Sequence, residues 1–123
     1  MRKQYYFRES SQGLLAWDVD RLVELSRHLP RKRVPLAQIR ELDDHCFDED
    51  KRPTWRDILE HMRLVQEADL SFPIILSASG AVMDGRHRVL KAALQGHAHI
   101  DALQFERDPK PDYVGVDPDD LPY

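Results

Sequence analysis

The sequence predicts a small α/β domain in which a mixed β-sheet is flanked by about three helices. Its 123 residues suffice for one domain with a sizeable core. Three segments have apolar residues at helical spacing, and short β-rich segments alternate with them. We divide the chain into an N-terminal extension with a helix (residues 1–32), a central domain (33–107) and an acidic, proline-rich tail (108–123).

The first helix is expected after Asp18, which is a good N-cap residue, and Pro30 ends its helical pattern. The apolar segment VPLAQI, residues 34–39, then predicts a short strand. Pro35 lacks a backbone N–H, so it indicates either a sheet edge or the start of a strand.

A second helix is expected after an acidic loop over residues 41–53. Thr54 is its predicted N-cap, with Asp57 three residues further on. Apolar residues then follow at helical spacing and form one stripe: Trp55, Ile58, Leu59, Met62 and Val65.

Residues 72–84 predict a β-hairpin whose turn lies at residues 78–80. A third helix is expected over residues 89–94, closed by Gly96. The alternating segment HIDALQF, residues 99–105, predicts the last strand. The tail is expected to be extended and to fold back on the domain.

The composition is typical of an ordinary globular protein, with 41% hydrophobic and 33% charged residues. No apolar run approaches the roughly 20 residues that a membrane helix needs, and the first residues lack the apolar stretch of a signal peptide. We therefore expect a cytoplasmic protein without a membrane partner. A single cysteine, Cys46, cannot form an internal disulfide or a metal cluster alone.

The net charge of −4 is unevenly distributed, because residues 1–40 are mainly basic and residues 41–70 mainly acidic. This balance is not that of a dedicated nucleic-acid binder. A local basic cluster could still contact a DNA backbone. It comprises Arg27, Arg31, Lys32, Arg33 and Arg40.

The motif Asp84-Gly85-Arg86-His87-Arg88 places positive charge at the start of the third helix. A helix start attracts anions through unpaired N–H groups and a partial positive charge, and a glycine lets the backbone approach closely. The helix dipole contributes about 0.3 to 1 kcal/mol, whereas each charge-assisted arginine hydrogen bond contributes about 1.5 to 3 kcal/mol. The arginines therefore favour a phosphate or polyphosphate.

Each of these residues also has an alternative role. Asp84 either holds a Mg²⁺ ion that bridges phosphate oxygens or pairs with a neighbouring arginine. His87 either donates to phosphate or moves a proton, or else is a hydrogen-bonding or packing residue. Lys91, one turn further on, either faces the same ligand or lies on an exposed helical surface. A purely structural Asp–Arg turn is the alternative to anion binding as a whole.

The segments FPIIL, GAVMDGRHRVLKAALQG and IDALQF together resemble the core of the ParB/sulfiredoxin-like superfamily, and the order of elements matches over about residues 33–106. The resemblance implies that Gly85, Arg86, His87 and Arg88 hold the phosphates of a nucleotide. It also implies that the segment around Ser71 and Pro73 lies against the base and ribose. The expected ligand is a nucleoside triphosphate or diphosphate with Mg²⁺.

Two departures narrow the expected function. Sulfiredoxins have their reactive cysteine where this chain has Arg86, so sulfinic-acid reduction is not expected. The chain reaches Tyr123 without the helix-turn-helix region of ParB proteins, so centromere recognition by itself is not expected.

Nucleotide hydrolysis and phosphoryl transfer to a small molecule are both left open, with Asp84 and His87 as candidate catalytic residues. A base for the acceptor hydroxyl could come from Glu41, Asp43 or Asp44. The alternatives are a DNA-binding or nuclease-type ParB-like protein and a non-catalytic module that binds a protein partner. His45, Cys46 and His61 match no standard zinc spacing, so we expect loop and surface roles for them.

Overall fold

A computed structural model describes residues 3–45 and 52–123 of the chain. Cys46 and part of the predicted acidic loop lie outside the described residues. Along the chain the strands and α-helices are β1 (Tyr5–Arg8), β2 (Leu15–Asp18), α1 (Val19–Ser26), β3 (Lys32–Pro35), α2 (Trp55–Glu67), β4 (Ile74–Leu76), β5 (Val82–Asp84), α3 (Arg86–Leu94), β6 (His99–Gln104) and β7 (Tyr113–Val114).

The main sheet has four strands in the order β3-β6-β4-β5. Strands β4 and β6 run parallel and are joined through the β5 hairpin and α3, whereas the other two pairs are antiparallel. This confirms the prediction of a mixed sheet with three helices. Strand β3 lies at the sheet edge, which is the first of the two alternatives that Pro35 indicated, because proline has no backbone N–H to donate to a neighbouring strand.

Alternation along the strands gives the main sheet two apolar faces. Ile74 and Leu76 of β4 face a cluster that includes Val89 of α3, whereas Ile75 between them faces a second cluster. That second cluster contains Trp17, Leu22, Ile75, Met83 and Phe105. The sheet therefore lies between α3 on one side and the N-terminal segment on the other.

A second sheet, in the order β1-β2-β7, was not predicted. It joins the N-terminal extension to the tail, since Ala16 of β2 pairs with Tyr113 of β7. The Trp17 indole donates to the Pro109 carbonyl at 2.8 Å, and Leu121 is buried. The tail therefore folds back on the domain, as expected, and also contributes a strand.

Several predicted boundaries are confirmed and others shift. Asp18 caps α1, and Thr54 with Asp57 forms a capping box on α2. Residues 36–38 form a 3₁₀ turn instead of continuing the predicted strand. Helix α3 begins at Arg86, three residues before its predicted start, so the charged motif forms the first turn of the helix itself.

The apolar stripe of α2 is mostly exposed, because only Val65 among its five residues is buried. Helix α2 packs on α3 through a different face near its C-terminal end, where the less exposed residues are His61, Leu64, Val65 and Ala68. None of the helices in the described parts of the chain has the length and apolarity to cross a membrane.

Candidate functional site

Gly85 links β5 to α3 and is the N-cap of the helix, with a φ of +107°. An added Cβ atom would lie 2.6 Å from Cγ2 of Ile74 and 3.1 Å from Nη2 of Arg88. Only glycine fits this position without strain, because it combines a left-handed conformation with close packing on β4. No side chain caps the start of α3.

Arg88 is tied into the protein on two sides. Its Nη2 atom pairs with Oδ2 of Asp84 at 2.9 Å, and its Nη1 atom donates to the Pro73 carbonyl at 2.6 Å. The two charged side chains are only 16% and 20% exposed, so the pair is largely shielded from water. Of the alternatives predicted for Asp84, pairing with an arginine is the arrangement present.

Lys91 also contacts the protein. Its ammonium group donates to the carbonyls of Gln66, at 2.8 Å, and Ala68, at 2.7 Å. These carbonyls lie at the C-terminal end of α2, where a cation is favoured by the helix dipole. Lys91 therefore fixes the end of α2 to α3.

His87 packs against His61 of α2, with ring centroids 5.0 Å apart and an interplanar angle of 61°. Within the described part of the chain, Nε2 of His87 is buried without a hydrogen-bond partner. Burial lowers the pKa of both histidines, and the positive charge of Arg86 lowers each pKa further. The histidine pair therefore favours the neutral form and lies in a positive potential.

Sequence reasoning did not place His61 at this site. His61 lies on the same helical face as Leu64 and Val65, and this spacing in the sequence indicates that it packs against the domain. The partner across that contact depends on how α2 and α3 dock, which the spacing along one helix does not reveal.

The segment before β4 is held at both ends. Asp69 Oδ1 accepts from the backbone N–H and the hydroxyl of Ser71, at 2.9 and 2.7 Å. Arg31 donates to the Ser71 carbonyl, and Arg88 donates to that of Pro73. Between them the Phe72 side chain is exposed. The segment predicted to lie against the nucleobase and ribose is thus joined to the first turn of α3.

One of the three candidate bases is linked to the strand that precedes the motif. Glu41 Oε2 accepts a hydrogen bond from the backbone N–H of Val82 in β5. Asp43, Asp44 and His45 are exposed, and the Asp44 side chain accepts from the His45 backbone at 2.9 Å. Only Glu41 is therefore connected to the strand that ends at Asp84.

Three side chains of the basic cluster pair with other groups of the protein. Across residues 3–45 and 52–123, no group of three or more His, Cys, Asp or Glu side chains is arranged to hold a metal ion. In the basic cluster, Arg31 pairs with Asp101 at 3.2 Å, and Lys32 donates to Gln104. Arg27 pairs with Glu24 at 3.1 Å.

No family model, curated protein or solved structure matches this chain. The resemblance to the ParB/sulfiredoxin-like superfamily therefore stays a prediction that rests on the sequence motif.

Proposed function

We propose that this protein binds a nucleoside diphosphate or triphosphate, with the phosphates at the start of α3. The supporting observation is the conformation of Gly85, which brings an uncapped helix start against β4 without a side chain in between. A phosphate oxygen would take the place that a capping side chain normally occupies.

Arg86 and His87 are the side chains that would contact the phosphate in this proposal. Arg86 is exposed in the first turn of the helix, and a guanidinium offers five donors in a forked arrangement that suits phosphate. His87 adds the buried Nε2 atom. An anion would offset the positive charge that lowers the pKa of both histidines.

Arg88 and Lys91 have a different role in the proposal from the one predicted from the sequence. Arg88 joins Asp84 to the Pro73 carbonyl, and Lys91 holds the end of α2. Both cations therefore act as positioning residues that shape the site. Their charges still add to the positive potential around the phosphates.

The nucleoside would lie along the segment before β4. The exposed ring of Phe72 offers a flat apolar face on which a base can stack. Ser71 is less suited to direct contact through its hydroxyl, because that group donates to Asp69. The hydrogen bond from Arg88 to the Pro73 carbonyl would keep the part of the site that holds the nucleobase at a fixed distance from the part that holds the phosphates.

Mg²⁺ enters this proposal as an ion carried by the phosphates. Asp84 would have to leave its ion pair with Arg88 to serve as a ligand. A magnesium ion commonly keeps several waters and binds through substrate phosphates with one or two carboxylates.

The geometry supports binding more directly than catalysis. Phosphoryl transfer needs a base beside the attacking hydroxyl. Asp84 is ion-paired, and burial lowers the pKa of His87, whose ring packs on His61. Burial and the positive charge of Arg86 both disfavour the protonated form of His87, so the proposal is one of binding. DNA binding stays the alternative, because three of the five cluster residues, Arg27, Arg31 and Lys32, already pair with groups of the protein.

Isothermal titration calorimetry with ATP, ADP, CTP and GTP in the presence of Mg²⁺ tests the proposal. At least one nucleotide should bind, and its nucleoside without phosphate should bind at least about tenfold more weakly, because the phosphates supply the charge-assisted bonds. Arg86→Gln should weaken binding about tenfold or more. Arg107→Gln is the matched control, since Arg107 is an exposed arginine beyond β6.

No heat from any nucleotide at millimolar concentration, in a sample with a cooperative thermal transition, would contradict the proposal. Equal losses for Arg86→Gln and Arg107→Gln would contradict the location of the site. Assay of the same samples for released phosphate separates hydrolysis from binding alone.

A further inference from the structure

Helix α2 carries a row of exposed apolar side chains, which we call the α2 ridge. Its members are Trp55 at 92% exposed, Ile58 at 44%, Leu59 at 65% and Met62 at 54%. Isolated exposed apolar residues are normal, but a contiguous row that includes a tryptophan usually marks an interaction surface. Neither the fold nor the proposed nucleotide site uses this row.

The α2 ridge is separate from the face through which α2 packs on the domain. That face lies near His61, Leu64 and Val65. At about 100° of rotation per residue, the two faces point roughly a third of a turn apart. The amphipathic pattern of α2 therefore comprises two apolar surfaces, and the described residues of the chain cover only one of them.

The spacing of the α2 ridge is symmetric, so it is the same from either end of the helix. Its positions follow one another at intervals of three, one and three residues. A two-fold dimer requires a surface that complements itself. If two α2 helices pack antiparallel, Trp55 of each copy lies against Met62 of the other, and Ile58 lies against Leu59. We propose that the α2 ridge is the contact between two copies of this chain, packed antiparallel.

The area of the ridge fits a weak, reversible dimer. An exposed tryptophan contributes roughly 200 Å², and three partly exposed aliphatic side chains contribute roughly 100 Å² each. Two ridges together then bury on the order of 1,000 Å², which is the lower limit for a specific interface. Self-association should therefore appear at micromolar concentrations and above.

Trp55 makes the contact observable. Its emission should shift to shorter wavelength as the concentration rises, because its exposed ring becomes buried, and Trp17 is already only 2% exposed. Sedimentation equilibrium of the full chain, without nucleotide, should show a monomer–dimer equilibrium over the same concentration range. The test is thus independent of the proposed nucleotide site.

Leu59→Glu should weaken dimerisation at least about tenfold, because it places two carboxylates in the centre of the contact. Leu94→Glu is the matched control, since Leu94 is 77% exposed on α3 and lies outside the ridge. Circular dichroism should give both variants the helix content and melting temperature of the original chain.

Charges placed within the ridge test the antiparallel orientation. Trp55→Glu alone and Met62→Lys alone should each dimerise at least about tenfold more weakly, because each places a charge against an apolar side chain. An equimolar mixture of the two variants should associate more tightly than either variant alone, because antiparallel packing then brings the two substituted positions together with opposite charges. Parallel packing would not bring positions 55 and 62 of the two copies together.

Three results would overturn the proposal: a monomer at the highest attainable concentration, equal association of Leu59→Glu and Leu94→Glu, or a dimer whose formation leaves the Trp55 emission unchanged. The first result would leave the ridge as a surface for a different protein. No recovery in the mixed charge variants would overturn the antiparallel arrangement.

Discussion

Gly85 is the residue whose backbone the proposed site depends on most. With φ at +107° and Cγ2 of Ile74 2.6 Å from an added Cβ, Gly85→Ala must strain the backbone and displace a fully buried side chain. We expect this substitution to lower the free energy of unfolding by about 3 kcal/mol. Urea unfolding followed by circular dichroism measures the change.

Gly80 provides the control for this prediction. Its φ of +92° is also left-handed, but an added Cβ would meet nothing within 4 Å. Gly80→Ala therefore carries only the conformational cost, about 1 kcal/mol. Equal destabilisation by the two substitutions would show that the contact with Ile74 is not a constraint. The sequence predicted a glycine at the helix entry, but not this contact across to β4.

At the scale of elements, Arg88 ties β5, α3 and the segment before β4 together. Arg88→Met keeps much of the side-chain volume but leaves Asp84 without its ion pair and the Pro73 carbonyl without its donor. Because the pair is mostly shielded from water, we expect a loss of about 2 kcal/mol of unfolding free energy. Thermal unfolding by calorimetry measures it.

The exposed Arg86 supplies the comparison. Arg86→Gln should change the unfolding free energy by less than about 1 kcal/mol, as the loss of an exposed charged side chain commonly does. A similar loss in both variants would contradict the structural role of Arg88. Because of that role, weaker ligand binding by an Arg88 variant would not identify Arg88 as a direct phosphate contact.

The charged motif could be recognised from the sequence. Which of its residues point outward and which contact the rest of the protein could not be predicted. Glycine at a helix entry and arginines beside it follow from local chemistry. Whether Arg88 points outward or towards Asp84 and Pro73 depends on the docking of α3 on β4. For the same reason the sequence did not predict the contacts of Lys91 with the end of α2 or of His87 with His61.

For the whole molecule, local patterning predicted the main sheet and missed the second one. The hairpin and the capped helices are local features whose signals lie within a few residues. Strand β7 has two residues in a proline-rich tail and pairs with β2, nearly 100 positions earlier. Periodicity carries no signal for so short a strand, and pairing over that separation is set by the folded core.

The tail should consequently contribute to stability throughout the molecule. Removal of residues 109–123 eliminates β7, the Pro109 carbonyl that accepts from Trp17, and the buried Leu121. It also removes Asp112, which accepts from the backbone N–H of Asp18 at 2.8 Å. We expect the melting temperature to fall by about 10 °C or more.

A shorter deletion of residues 122–123 is the matched control for this truncation. It keeps β7, the contact of Trp17 with Pro109 and the buried Leu121, and removes the final contacts of the tail, among them those with Tyr5. Its melting temperature should fall by at most a few degrees, about 5 °C. If the longer deletion melts no lower than the shorter one, β7 and the Trp17 contact do not stabilise the fold. Because Trp17 shares a cluster with Ile75 and Met83, loss of the tail should also loosen β4 and β5, the strands that position Gly85.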